Sequence, residues 1–299
     1  MRGRTESAGL VRIALAAVTW GTIPLLVRAV DAPPLVIVFW RVVFECAAIG
    51  VLLLVRRRFS EVARLSKRSL AVLAGQGLML ALNWVLFFTA LAWTDVAVAE
   101  MLAYTGPVLV AVFAPLVLRD RFDRRILVPL ALALAGTVFI LTPGSLDTGP
   151  RALAGAAAAA ASAFTYAFLV VNAKRLLSGF ATDVYMFVET LAASVVLAPL
   201  ALTMGQPTDG AQWGAVATLG VVHSALTGLL FLSGLRLVRA DRAATLTYLE
   251  PASAVLFAAL FLGEPVTVIT LAGGAAIVGA GIIVARLAPA PASDQVPGF

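Results

Sequence analysis

Long apolar stretches recur along the whole chain, separated by short polar or Gly- and Pro-containing segments. A helix needs about 20 apolar residues to cross the roughly 30 Å hydrocarbon core of a bilayer. A β-barrel would instead show alternating segments of about ten residues. The pattern therefore predicts an all-α polytopic membrane protein with ten transmembrane helices, at approximately residues 10–30, 34–55, 70–92, 96–118, 125–142, 152–173, 182–203, 212–235, 241–262 and 266–286.

Composition excludes a water-soluble globule. Of the 299 residues, 61% are hydrophobic and 13% are charged, whereas soluble domains carry about 45–50% apolar and about 25% charged residues. The single cysteine, Cys46, lies inside an apolar stretch, so neither an intrachain disulfide nor a thiolate metal site is predicted. The net charge of +6 comes from basic residues beside apolar segments, which favours a role in membrane orientation over nucleic-acid binding.

The two halves of the chain are similar to each other. A shift that brings residue 15 onto residue 159 aligns 15–142 with 159–286 without a gap. Identical pairs include Leu25 with Leu169, Glu45 with Glu189, Phe87 with Phe231, Tyr104 with Tyr248 and Pro107 with Pro251. A period of this length indicates a duplicated five-helix unit rather than a solenoid repeat.

The duplication predicts the domain organisation. Two five-helix repeats are expected between a short cytoplasmic segment and a disordered cytoplasmic tail, with an external linker between them. The predicted boundaries are 1–9 for the N-terminal segment, 10–142 for the first repeat, 143–151 for the linker, 152–286 for the second repeat and 287–299 for the tail.

Charge in the loops predicts that the two repeats are inverted. Because five is odd, the two copies must enter the membrane from opposite sides, and equivalent loops should differ in basic residues. Segment 56–68 is rich in basic residues, whereas its counterpart 200–212 has none. With both termini in the cytoplasm, every basic residue except Arg28, Arg41 and Arg151 lies at an inner segment. Inverted repeats are typical of alternating-access carriers, although some channels contain them as well.

Two similar stretches point to a known family. They are Tyr104-Thr-Gly-Pro-Val-Leu-Val-Ala-Val-Phe and Tyr248-Leu-Glu-Pro-Ala-Ser-Ala-Val-Leu-Phe, and a Gly-rich tenth helix follows the second. Together with the five-plus-five duplication, they resemble the EamA-type branch of the drug/metabolite transporter superfamily over about residues 10–286. The resemblance implies an inner-membrane carrier that often exports amino acids or related metabolites. It also implies that helices one to four and six to nine surround a central cavity, with helices five and ten peripheral.

Charged residues within the spans are the first candidates for a site, because each costs about 2.5–3.5 kcal/mol at the centre of a bilayer. Arg41 could hold a substrate carboxylate in two hydrogen bonds, or Glu45, four residues on, could neutralise it permanently. Glu45 and its equivalent Glu189 could serve proton or amine coupling, or could be hydrogen-bonded to Arg41 and Tyr185. Glu100 is expected at the interface of the membrane.

Proline and histidine residues within the spans are candidates for gating or coupling roles. Pro107 and Pro251, the latter after Glu250, can kink their helices and act as gate hinges, or can simply serve packing. The one histidine, His223, is either a proton relay or a hydrogen-bonded core residue. The predicted coupling or gating residues are therefore Glu45, Pro107, His223, Glu250 and Pro251.

Neutral side chains near mid-span could stack on a substrate or hydrogen-bond to it, or could serve helix packing. The predicted substrate-binding residues are Trp20, Arg41, Asn83, Trp84, Tyr104, Tyr166, Glu189 and Tyr248. The sequence contains none of the spacings typical of a metal site, a nucleophile elbow or a phosphate loop, so neither an enzyme nor a cofactor is predicted.

The sequence thus predicts a secondary carrier in the cell inner membrane that exports amino acids or related small metabolites. Two alternatives stay open: import of nucleobases, sugars or other metabolites, and a small-solute channel. The expected partners are a small-molecule substrate and the lipid bilayer. The small-residue runs at 154–163 and 272–281 are expected to form close helix–helix contacts and are candidates for a homodimer interface.

Overall fold

A computed structural model describes residues 2–94, 96–119, 122–141, 149–263 and 267–287, so most of the predicted linker and the predicted tail lie outside the described residues. Every element within them is helical. The helices are α1 (Arg2–Trp20), α2 (Ile23–Val27), α3 (Pro34–Val55), α4 (Phe59–Ala63), α5 (Lys67–Trp93), α6 (Val96–Ala103), α7 (Gly106–Leu118), α8 (Leu127–Ile140), α9 (Pro150–Leu176), α10 (Thr182–Ala201), α11 (Gly210–Thr218), α12 (Thr227–Leu235), α13 (Ala240–Thr247), α14 (Leu249–Leu262) and α15 (Val268–Arg286). A 3₁₀ turn (Arg124–Ile126) precedes α8, and a π-helical segment (Leu219–Leu226) joins α11 to α12.

Eight helical segments of the described chain are long and apolar enough to cross a membrane, which identifies a multi-pass membrane protein. They coincide with predicted spans one to four and six to nine. Predicted span five contains only α8, of 14 residues, and the apolar part of span ten runs from Leu271 to Arg286. Large apolar side chains point outward, as lipid-facing residues do; Phe261 is 69% exposed and Val268 is 82% exposed.

The helix bounds repeat with the sequence. The shift that aligns the two halves places α6 directly on α13, and each of these helices has eight residues. The next helices, α7 and α14, are followed by equivalent residues in the left-handed conformation, Arg119 with φ 55° and Gly263 with φ 67°. The chain is broken before Pro107 and before Pro251, because proline lacks an N–H and clashes with the preceding turn.

The small-residue runs form helix contacts within the chain. Helix α15 packs along α8, and α9 packs along α5 and α6. A Cβ atom at Gly136 of α8 would lie 2.6 Å from the carbonyl oxygen of Gly273, so the two backbones approach closely. Gly136 and Gly273 are thus explained by close contact between these two helices of one chain.

The largest apolar core lies towards one end of the bundle. It contains Leu10 near the start of α1, Leu177 after α9 and Leu235 at the end of α12, together with residues of α13. We call this the closed end. The first half of α1, the last turn of α9 and the first turn of α13 meet there, and the functional cavity described next approaches from the opposite end.

Candidate functional site

A cavity of about 400 Å³ lies between the two halves of the chain. Its lining runs from the helix ends at Val27, Pro34 and Leu91 to Tyr166, within α9, and Glu250, at the start of α14 after the break in the ninth span. It therefore extends from one end of the bundle to the middle, within the usual size of a small-molecule site. The polar lining residues are Arg41, Asn83, Glu100, Tyr104, Ser162, Tyr166, Thr247 and Glu250.

The structure brings about half of the predicted site residues to this cavity. Those that line it are Trp20, Arg41, Asn83, Tyr104, Pro107, Tyr166 and Glu250. Trp84, Glu45, Glu189, His223, Tyr248 and Pro251 are not part of the lining. The sequence analysis did not single out Phe87, Phe88, Ser162 or Thr247, and it expected Glu100 only at the membrane interface, although all five line the cavity.

Trp20 is held at the wall by a break in the first span. Residues 21 and 22 separate α1 from α2, and a Cβ atom at Gly21 would overlap the hydroxyl of Ser253. The indole Nε1 of Trp20 donates to the carbonyl of His223 at 2.8 Å, and the Thr22 hydroxyl lies 2.7 Å from His223 Nε2. His223 thus anchors the broken first span, which favours its interpretation as a hydrogen-bonded core residue.

The π-helical segment Leu219–Leu226 lies at the contact between the eighth span and α3. A Cβ atom at Gly220 would lie 2.6 Å from the carbonyl oxygen of Arg41, so the backbones touch. The hydroxyl of Ser224 donates to the Leu219 carbonyl, five residues back, at 3.1 Å. π-bulges occur frequently at functional sites, and here the segment supplies the residue that holds Arg41.

Arg41 is fixed in position without a carboxylate partner. Its Nε donates to the hydroxyl of Ser224 at 2.5 Å, and its guanidinium carbon lies 5.8 Å from the centre of the Trp84 ring. Among the described residues, neither a hydrogen bond nor an ion pair joins Arg41 to Glu45. The two terminal nitrogens of Arg41 thus remain available to a ligand, and Trp84 contributes by supporting Arg41 rather than by lining the cavity.

Glu45 and Glu189 are buried in the interior of the helix bundle, where they are 7% and 8% exposed. Glu189 accepts a hydrogen bond from the Tyr185 hydroxyl at 2.9 Å, as one of the two interpretations expected. It is not part of the cavity lining, and its backbone carbonyl lies in a close contact between α10 and α5, where a Cβ atom at Gly77 would overlap it.

The two equivalent tyrosines play different parts. Tyr248 is fully buried, and its hydroxyl donates to the carbonyl of Tyr104 at 2.5 Å. That carbonyl has no helical partner, because the break before Pro107 makes the Val108 N–H bond to Thr105 instead. Tyr248 thus stabilises the broken fourth span from behind, and Tyr104 lines the cavity.

Asn83 and its neighbours are positioned by α9. The amide nitrogen of Asn83 donates to the Ser162 carbonyl at 2.7 Å and to the Thr165 hydroxyl at 2.8 Å. Because both amide hydrogens are used there, the Asn83 oxygen is left as a hydrogen-bond acceptor.

At the closed end, Arg242 forms a cluster that the sequence analysis assigned only to membrane orientation. Arg242 is 1% exposed, and its Nη1 lies 2.6 Å from a carboxylate oxygen of Glu6 and 3.2 Å from the Leu287 carbonyl. Its Nη2 lies 3.8 Å from Asp123. Hydrogen bonds from Arg125 hold the pKa of Asp123 below its ordinary value. The cluster ties α13 to both termini of the bundle.

Comparison with known proteins identifies a family, related transporters and a structure of the same fold. The sequence profile of the EamA-like transporter family matches residues 7–142 and, a second time, residues 153–286. A protein of Archaeoglobus fulgidus named only as an uncharacterized transporter is 30% identical over 93% of this chain and 96% of its own length. The pseudopaline exporter CntI of Pseudomonas aeruginosa is 29% identical over 93% of this chain and 96% of its own. A crystal structure superposes with a TM-score of 0.79 at 22% identity, covering 92% of this chain and 96% of that one, which shows the same fold.

These matches confirm the resemblance to the EamA-type branch, with its domain present twice. They also confirm a membrane transporter rather than an enzyme, as the absence of catalytic spacings predicted.

Proposed function

This chain belongs to the EamA-like transporter family, and we propose that it is a secondary carrier that exports amino acids or related small metabolites by alternating access. In this proposal ten helices form two inverted five-helix repeats, with α8 and α15 completing spans five and ten. The bilayer in question is the inner membrane, and both termini are cytoplasmic.

The observation that carries the proposal is that equivalent elements of the two repeats differ in exposure. Helix α6 contributes Glu100 and Ala103 to the cavity. All eight residues of its equivalent, α13, are buried. Asp241 and Arg242 lie at the closed end, and Thr247, the last residue of α13, lines the cavity. Inverted repeats that hold two conformations can exchange them, and the exchange would close the present mouth and open the other end.

The distribution of basic residues supports the orientation. Arg58, Arg236 and Arg242 belong to the end opposite the cavity mouth, and basic residues favour the cytoplasmic side. In this orientation the cavity opens outward, and the state described is the one in which an exporter releases its cargo. A channel would need both ends open at once, and the buried Arg242 cluster argues against that reading.

The lining supports a charged amphipathic substrate. Arg41 offers two free guanidinium nitrogens to a carboxylate, and Glu250 offers a carboxylate to an ammonium group. Trp20, Tyr104 and Tyr166 flank them. Glu250 thus takes the part that the sequence analysis gave to Glu189. A relative named as an exporter supports the outward direction.

Counterflow in proteoliposomes tests the proposal. Vesicles are preloaded with one unlabelled amino acid at a time, and the labelled compound is added outside in trace amounts. A carrier accumulates label transiently above equilibrium, because unlabelled substrate leaving the vesicle drives reorientation. Arg41→Gln should reduce counterflow of carboxylate substrates at least tenfold, whereas Arg64→Gln, an exposed arginine on the loop after α4, should not.

Two results would contradict the proposal. Equilibration of label without any transient accumulation would indicate a channel. Counterflow of nucleobases or sugars in folded protein, with none for any amino acid, would replace the substrate class and leave the carrier mechanism in place.

A further inference from the structure

The cavity lining is rich in hydrogen-bond acceptors. Asn83 presents only its amide oxygen, because α9 takes both amide hydrogens. The hydroxyl of Ser162 donates to a carbonyl of its own helix at 2.7 Å, which leaves its oxygen as an acceptor. The hydroxyl of Thr247 also donates to a carbonyl of its own helix, and it lies within hydrogen-bond reach of Tyr166. The indole of Trp20 donates to His223. A ligand that satisfies Asn83 and Ser162 must therefore bring donors, together with an acceptor for the free nitrogens of Arg41.

Two acids without a partner add further acceptors, and negative charge when ionised, to the cavity lining. Glu100 and Glu250 both line the cavity, and within the described chain neither carboxyl has a hydrogen bond or an ion pair. They lie close enough to each other to interact electrostatically, and Glu250 also interacts with Arg41. When ionised, the lining holds two negative charges against one positive charge.

We propose that the cavity binds a basic amino acid, a molecule with one carboxylate and two cationic groups on a short aliphatic chain. The proposal rests on the carrier function proposed above and names its substrate class. Arg41 binds the carboxylate, Glu250 with the Asn83 oxygen binds one ammonium group, and Glu100, nearer the mouth, binds the second cation.

Charge balance distinguishes this class from neutral amino acids. A neutral amino acid has one ammonium group, so it pairs with one of the two carboxyls and leaves the other unpaired. An ionised side chain without a partner within the membrane is energetically costly. A second cation on the ligand removes this cost, and its aliphatic stem packs against the aromatic wall of Trp20, Phe87 and Phe88.

A matched pair of ligands tests the inference on the unmodified protein. Lysine and norleucine differ only in the terminal amine, and their binding to purified protein in detergent is measured by isothermal titration. We expect lysine to bind at least tenfold more tightly. Equal affinity of the two, or binding of norleucine alone, would overturn the inference.

Variants then assign the second cation. Glu100→Gln should reduce the preference for lysine over norleucine at least tenfold, because lysine loses the partner of its second cation and norleucine no longer leaves a carboxyl unpaired. Glu61→Gln is the control, since Glu61 is exposed on α4, pairs with Arg58 and lies outside the cavity. An unchanged preference in folded Glu100→Gln protein would overturn the assignment of Glu100.

The outcomes separate this inference from the carrier mechanism. Tight binding of lysine without counterflow supports the substrate class and overturns the carrier. Counterflow of norleucine that lysine does not inhibit supports the carrier and overturns the substrate class.

Discussion

Two helices of equal length occupy equivalent places in the two halves of the chain and differ in their surroundings. Helix α6 forms part of the cavity wall through Glu100 and Ala103. Helix α13 is buried in all eight of its residues, and of these Thr247 alone lines the cavity. The backbone pattern is shared, including the break before the following proline. The difference therefore comes from the neighbours of each helix and from its own side chains.

Polar residues account for much of the difference. Helix α13 carries Asp241 and Arg242, and the equivalent positions of α6 hold Ala97 and Val98. Arg242 reaches Glu6 and Asp123, whereas an alanine and a valine offer no such partners. We therefore expect the charged residues of α13 to stabilise the closed end.

Replacing Arg242, the central cation of the closed-end cluster, should have the largest effect on stability. Arg242→Gln removes the cation that pairs with Glu6 at a buried site and leaves Asp123 with Arg125 alone, and loss of one partner of a buried ion pair costs about 3–5 kcal/mol. We expect a large drop in the thermal unfolding temperature, and increased labelling of cysteines introduced at the closed end. Arg64→Gln is the matched control. Equal unfolding temperatures for the two variants would contradict a stabilising role for the cluster.

A packing variant tests the close contact between α5 and α10. Gly77→Ala should destabilise the protein by about 1–3 kcal/mol, because its Cβ atom would overlap the Glu189 carbonyl. Gly75→Ala on the same helix meets nothing within 4 Å and should be neutral or slightly stabilising. Chemical denaturation in mixed micelles measures both. Similar losses for the two glycines would contradict the close α5–α10 contact.

The paired tyrosines give a smaller test. Tyr248→Phe should cost about 1 kcal/mol, because the Tyr104 carbonyl loses its hydrogen bond in a buried place. Tyr104→Phe removes the equivalent hydroxyl, which makes no such bond, and should leave the free energy of unfolding nearly unchanged. If the second variant were the more destabilising one, the assigned hydrogen bond would be wrong.

The smallest effect on the free energy of unfolding is expected for a substitution of Asp123 at the closed end. Asp123→Asn keeps an acceptor for the N–H of Arg125 but removes the charge, at a cost of about 0.5 kcal/mol near pH 7. Because the folded pKa is lowered, the stabilisation is full above the ordinary Asp value of about 3.9 and disappears as pH falls through the folded value. Unfolding of both proteins between pH 7 and pH 3 measures this, and a pH-independent difference would contradict it.

Much of the architecture could be predicted because bilayer thickness and the repeat constrain it. Apolar length located the eight spans that the described residues confirm, and the prolines at equivalent positions marked two helix breaks. The break at residues 21 and 22 and the π-helical segment were not predicted, because both depend on close approach between distant helices. Gly21 and Gly220 were the local signals, although glycine alone does not say which partner approaches.

The site could be predicted only in part, because sequence position gives the depth of a side chain and not the direction in which it points. Arg41 and Glu250 were selected by their charge in apolar surroundings, and both line the cavity. Glu189 was selected for the same reason and lies in the contact between α10 and α5. Glu100 was undervalued because its place near a helix end suggested the interface.

Cysteine labelling of one equivalent pair tests alternating access most directly. Leu91 lines the cavity near its mouth, and its equivalent Leu235 is 0% exposed at the closed end. In a Cys46→Ala background, an impermeant maleimide should label Leu91→Cys from outside and leave Leu235→Cys unlabelled from inside. Substrate that drives turnover should protect the first and expose the second. Simultaneous labelling of both positions, or reactivities that substrate never changes, would contradict exchange between the two repeats.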